Sequence, residues 1–183
     1  MADLLVLRER LFIAAPIPER ARESLRRHLP DVLPGRRVSP EKWHFTLRFL
    51  GDTPSAQRER LVEALGGVTL PVPFRIEFGK LGAFPSPDRA RVLWVGVKRG
   101  AEKLVRLAET VEAAAQAADF PAEPRPFKSH LTLSRVDPPS DVRRLIDLIP
   151  STDVSMEVRG VVLFRSHLGR EGARHEAIAH FPS

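Results

Sequence analysis

A chain of 183 residues with 43% hydrophobic and 28% charged residues has the balance of an ordinary globular protein, and is long enough for one domain or two closely packed lobes. It contains no Cys, which excludes disulfides and thiolate metal sites and fits a reducing compartment. The formal charge is +6, and only five of the 29 basic residues are Lys; Arg offers a planar fork suited to phosphate, but a GC-rich genome also inflates Arg, so charge alone gives a polyanion partner weak support.

The leading stretch MADLLVLRERLFIAAPIP is broken by Arg8, Glu9 and Arg10, and it lacks the basic-then-apolar order of a signal peptide. No apolar run approaches the roughly 20 residues of a membrane helix, so a soluble, cytoplasmic protein with no membrane association is expected. Residues 10–17 read as a buried strand. Residues 18–29 start with Pro18, a favoured first helical residue, and read as a basic helix. After a loop, residues 43–50 form a strand. Thr53 is placed to cap the next helix, with Pro54 in its first turn, Gly66 and Gly67 beyond its end, and Leu61, Val62 and Leu65 as its apolar stripe. Residues 74–81 alternate with period two and read as a strand with one wet face.

The order then repeats. Residues 91–97 form a strand, and residues 100–118 a helix with Leu104, Leu107, Val111 and Ala114 on one stripe. A Pro-rich loop leads to a strand over residues 129–136, then to a short helix over 138–149 with Leu145, Ile146 and Ile149 inward. Residues 154–166 and 174–181 read as a terminal antiparallel pair across the turn HLGREG. Each half therefore reads strand, helix, loop, strand, helix, strand. The spacing predicts one bilobal domain over 1–183, built by internal duplication of about 10–81 and 91–181, with a groove between two similar lobes.

The echo extends to residues. The first loop-flanked strand carries His44, Phe45 and Thr46, and its counterpart carries His130, Leu131 and Thr132. Asp52, Pro54, Ser55 and Arg58 then match Asp137, Pro139, Ser140 and Arg143 in register. Chance alone would place two such H-x-T hits at roughly the one-in-a-hundred level, before their apolar flanks are counted. Side chains alternate across a strand, so His44, Thr46 and Arg48 share one face and Trp43, Phe45, Leu47 and Phe49 the other. In the second strand, His130, Thr132 and Ser134 share a face opposite Leu131 and Leu133.

Two imidazoles across a groove suit proton transfer in both directions, because the ordinary histidine pKa lies near 6.5. One neutral ring takes a proton from a nucleophile; the other, protonated, gives one to a leaving oxygen. The two Thr hydroxyls and an Arg can hold a phosphate between them, and no metal is required. Zinc is a weaker reading, since no third ligand at suitable spacing, HExxH or Cys pair is present. A Ser-His-Asp hydrolase is weaker still without G-x-S-x-G.

At these residues the chain resembles the 2H phosphoesterases, and within them the RNA 2′,3′-cyclic phosphodiesterases, historically called 2′-5′ RNA ligases. RLFIAAPIP resembles the family's first strand, WHFTLRFLGD and FKSHLTLSRV its two motifs, and GVVLFRSHLGREGARHEAI its C-terminal hairpin. The resemblance implies an α+β fold of two pseudo-symmetric antiparallel lobes with outer helices and the site between them. It implies hydrolysis of RNA 2′,3′-cyclic phosphate ends to 2′-phosphates, with ATP-independent 2′-5′ joining in reverse and no cofactor. His44 is then the acid, His130 the base, Thr46 and Thr132 phosphate ligands, and Arg135 a phosphate-binding Arg. Expected partners are RNA ends of that kind or cyclic nucleotides, with no obligatory protein partner. A small-molecule cyclic nucleotide substrate and a non-catalytic RNA- or nucleotide-binding module are the alternatives.

Strand parity points Arg135 away from His130 unless the strand ends, twists or bulges, which leaves Ser134 as the competing contact and Arg48 as a solvent-facing one. Many relatives carry Tyr where this chain has His175, which is open to packing, base stacking or no role. Phe12 and Phe84 read as core residues with base stacking as the alternative. His28, His167 and His180 are assigned no chemistry.

Overall fold

The computed structural model describes residues 8–169 and 172–182. Part of the leading stretch, and Arg170 and Glu171 in the expected terminal turn, lie outside the described residues.

The second and third helices follow the apolar stripes that predict them, and the first stands where a basic helix is expected. β1 (Arg8–Pro16) leads to α1 (Glu19–His28), which buries Ala21 and Leu25. The two-residue β2 (Arg36–Arg37) and a turn at Pro40–Lys42 precede β3 (His44–Pro54) and α2 (Ser55–Gly67), anchored by Leu61 and Leu65. β4 (Phe74–Phe84), β5 (Ala90–Arg99) and α3 (Ala101–Ala117) follow, and α3 buries Leu104, Leu107, Val111 and Ala114 as its period demands. The chain closes with β6 (His130–Ser140), α4 (Arg143–Leu148), β7 (Ser155–Val158), β8 (Val161–His167) and β9 (Arg174–Phe181).

The strands form two antiparallel sheets. One has the order β3-β1-β8-β9 and the other β2-β6-β5-β4-β7. One face of each sheet and the apolar stripes of the helices make a single core that includes Leu11, Ile13, Phe45, Phe78, Leu93 and Leu131. The opposite faces of β3 and β6 meet over a groove. This is the expected α+β architecture of two antiparallel lobes with helices outside. None of the described helices is long and apolar enough to cross a membrane.

Three local expectations change. The run 154–166 is two strands belonging to different sheets, β7 beside β4 and β8 beside β1. The chain crosses between sheets at Gly160, where any Cβ would collide with the Phe181 carbonyl oxygen, so the crossing needs glycine there. The helix expected over 138–149 is only Arg143–Leu148, because residues through Ser140 extend β6. Leu145, Ile146 and Ile149 still lean on the core. Thr53 does not cap α2: it is fully buried within β3, and its hydroxyl donates to the Gly51 carbonyl at 3.1 Å.

Candidate active site

His44 and His130 open their strands, and each ring is fixed in the same way. The Nδ1–H of His44 donates to the Lys42 carbonyl at 2.7 Å, and that of His130 to the Lys128 carbonyl at 2.7 Å. A carbonyl only accepts, so each neutral ring carries its hydrogen on Nδ1 and leaves Nε2 as the basic nitrogen. Nε2 of His44 accepts from the Thr46 hydroxyl at 3.1 Å.

Both rings stand on aromatic beds. Phe12 lies 5.0 Å from His44, and His175 stands nearly perpendicular to His44 at 5.6 Å. Phe84 meets His130 edge-on at 5.0 Å, with Trp94 at 6.2 Å. Trp94 lies so close over Gly82 that a Cβ there would overlap its indole ring. Phe12 is buried as expected, packed on His44 and Phe164, while the half-buried Phe84 packs on His130 and Trp94.

The two histidines, Thr46, Thr132 and Arg135 line one cavity of about 110 Å³. Val38, Lys42 and His175 complete its wall. The wall carries a guanidinium, an ammonium, hydroxyls and imidazoles and no carboxylate, which is the lining an anion requires. Burial pushes the pKa of His44 down to about 4; the bond to Lys42 opposes the shift, and His175, His130 and Arg135 add to it. Burial also lowers His130, against the bond to Lys128. His175 is lowered by burial and then by Lys42. At neutral pH the unliganded groove therefore holds neutral imidazoles. Among the described residues no three His, Asp or Glu side chains converge to hold a metal ion.

β-Bulges decide which later residues reach the groove. Thr46 lies opposite Ala14 but Arg48 opposite Ile13, so Leu47 is an extra residue in β3. Thr132 lies opposite Trp94 but Ser134 opposite Leu93, so Leu133 is extra in β6. Each bulge reverses the alternation beyond it. Arg135 consequently returns to the groove. Ser134 is buried instead and donates to the Pro34 carbonyl at 2.8 Å, which corrects its placement beside His130. Arg48 is likewise not solvent-facing: it is 7% exposed and paired with Glu112 at 2.7 Å and Glu123 at 2.8 Å. Phe49, expected in the core, is 44% exposed.

Lys42 and Val38 are wall residues that sequence reasoning missed. The matching Lys two positions before each histidine was the available signal for Lys42. His175 enters the wall, with its Nδ1 buried and unpartnered. His28 and His180 are exposed, and His167 binds Glu176 at 2.7 Å. A wider groove of about 950 Å³ between α1 and β7 shares none of these residues.

Two antiparallel sheets thus flank a basic groove lined by imidazoles, and comparison with known proteins gives the family. The model of the LigT like Phosphoesterase family matches residues 12–94 and again 95–175. An RNA 2′,3′-cyclic phosphodiesterase of Aeropyrum pernix is 36% identical over 150 residues, covering 80% of this chain and 85% of that protein. One from Archaeoglobus fulgidus is 39% identical over 130 residues, covering 69% and 72%. The crystal structure of E. coli LigT complexed with 3′-AMP superposes with a TM-score of 0.72 at 25% identity, covering 95% of this chain and 96% of the other. The chain belongs to the LigT-like phosphoesterase family.

Proposed function

We propose that the protein hydrolyses 2′,3′-cyclic phosphate ends of RNA to 2′-phosphates by two-histidine acid–base catalysis, without a metal ion. The observation that carries the reading is the matched fixation of His44 and His130: both rings are locked through Nδ1, and both line one carboxylate-free cavity. The phosphodiesterase names of the relatives agree with it.

In this reading the cyclic phosphate lies between the rings, held by Thr46, Thr132 and Arg135. His130 Nε2 takes a proton from water as the water oxygen bonds to phosphorus. The bond from phosphorus to the 3′ oxygen breaks, and His44 Nε2–H delivers its proton to that oxygen. The 2′-phosphate leaves with a free 3′-OH. A 5′-OH in the water's place gives a 2′-5′ linkage without ATP. Because His44 is neutral in the empty groove, its proton enters with substrate: a phosphate anion beside the ring favours the charged form and raises its pKa. The substrate and the absence of cysteine fit the cytoplasm. Duplication of an ancestral half, about 10–81 and 91–181 within one bilobal domain, accounts for the recurrence of the site geometry.

Purified protein in EDTA should convert a nucleoside 2′,3′-cyclic phosphate to the 2′-monophosphate. His44→Ala and His130→Ala should each lower kcat by about 10²- to 10⁴-fold and stay folded. A 3′-monophosphate product, or no turnover of either a mononucleotide or an RNA end, contradicts the reading.

A further inference from the structure

The residue after each bulged pair returns to the groove face, and the two strands place different chemistry there. In β6 that residue is Arg135, five positions after His130; in β3 it is Phe49, five positions after His44. Phe49 lies directly opposite Phe12 in the β1–β3 register, and directly paired residues project on one face of a sheet. Phe12 in turn rests on His44. Phe49 therefore continues the His44 face beyond Phe12. Among the large hydrophobic residues described as exposed, it is the aromatic one.

A single exposed apolar side chain is ordinary. This one is accompanied by a cation: the guanidinium of Arg10 lies 4.8 Å from the centre of the Phe49 ring. Arg10 is two residues before Phe12 and so shares its face. Among the described residues no carboxylate pairs with Arg10, whereas Arg48, Arg58, Arg143 and Arg165 are all ion-paired. An uncommitted guanidinium over a ring, on the face that leads through Phe12 to the basic cavity, offers stacking and positive charge together.

We propose that Arg10 and Phe49 form a nucleotide platform that takes the base and backbone of the residue adjoining the terminal cyclic phosphate. The inference rests on the proposed function and narrows its substrate to an oligoribonucleotide end. The cavity of about 110 Å³ accommodates the reacting phosphate, and the platform holds the neighbouring nucleotide. Stacking uses the π-face common to all bases, so the platform selects chain length and not sequence.

The test compares kcat and KM for a nucleoside 2′,3′-cyclic phosphate and for a short oligoribonucleotide ending in the same group. The wild-type protein should favour the oligonucleotide. Phe49→Leu, which keeps apolar bulk but removes the π-face, should raise KM for the oligonucleotide about tenfold and leave the mononucleotide kinetics unchanged. Phe49→Trp should restore the oligonucleotide KM, and Arg10→Gln should weaken it in a salt-dependent way. Equal loss on both substrates, or no loss on either, overturns the platform. Failure of the catalytic reading looks different: the wild-type protein turns over neither substrate. Binding of a 2′-phosphate-ended oligoribonucleotide, measured in parallel, still decides the platform in that case. Wild type should bind about tenfold more tightly than Phe49→Leu, and equal affinities overturn the proposal.

Discussion

His44 illustrates how one side chain serves stability and chemistry with opposite demands. The groove desolvates its ring and sets it among other imidazoles and Arg135, so the folded protein resists protonating it. The folded pKa of about 4 lies below the ordinary 6.5, so between those values the unfolded chain binds a proton that the folded chain does not. Stability from this residue is complete above pH 6.5 and is lost as pH falls toward 4, by about 3 kcal/mol. Urea unfolding at pH 7 and pH 4.5 should show a smaller pH-dependent loss for His44→Gln than for wild type; parallel losses would count against the burial of this ring. The same shift sets the kinetics. The kcat/KM profile reports the free enzyme, and its bell should lie on the acid side of pH 6.5. A bound phosphate raises both imidazole pKa values, so the kcat profile should lie at higher pH. Coincident profiles would show that substrate does not protonate the groove.

At the scale of single elements, the bulge in each motif strand matters most. Alternation along residues 44–47 and 130–133 was legible in the sequence and correctly put His44, Thr46, His130 and Thr132 together. It failed at the next residue in both strands. A bulge belongs to the pairing between strands, and the strand's own sequence does not reveal where its partner skips. Arg135 therefore reaches the cavity against its parity, while Arg48 turns to the helix side and meets Glu112 and Glu123. Removing Arg48 leaves Glu112 without its cation; Arg48→Ala should cost about 3 kcal/mol in denaturant unfolding. Its kcat should be retained under conditions where the variant is folded. Preserved stability with lost activity would place Arg48 in the groove after all. The run 154–166 was illegible for a related reason: a break shared between two sheets leaves each piece apolar, and Gly160 alone hinted at it.

Across the whole molecule, the chain does not keep its halves apart. β8 and β9 come from the second half but complete the sheet of β1 and β3, while β4 of the first half sits beside β5. The recurring strand and helix order disclosed two sheets and a groove, because periodicity and the paired motif are local signals. Which sheet each late strand joins was hidden, since that depends on contacts across the full chain. The wall residues Lys42 and His175 come together only through this interleaving, Lys42 from the turn before β3 and His175 from β9. The consequence for function is that one anion should engage side chains from both sheets at once. The most direct measurement is an NMR titration of the imidazole nitrogens with inorganic phosphate at pH 7. His44 and His130 should shift together along one 1:1 isotherm, each toward its protonated form, and His130→Ala should abolish the response of His44. Independent isotherms, or a response from one ring alone, would contradict a single phosphate held between the two histidines.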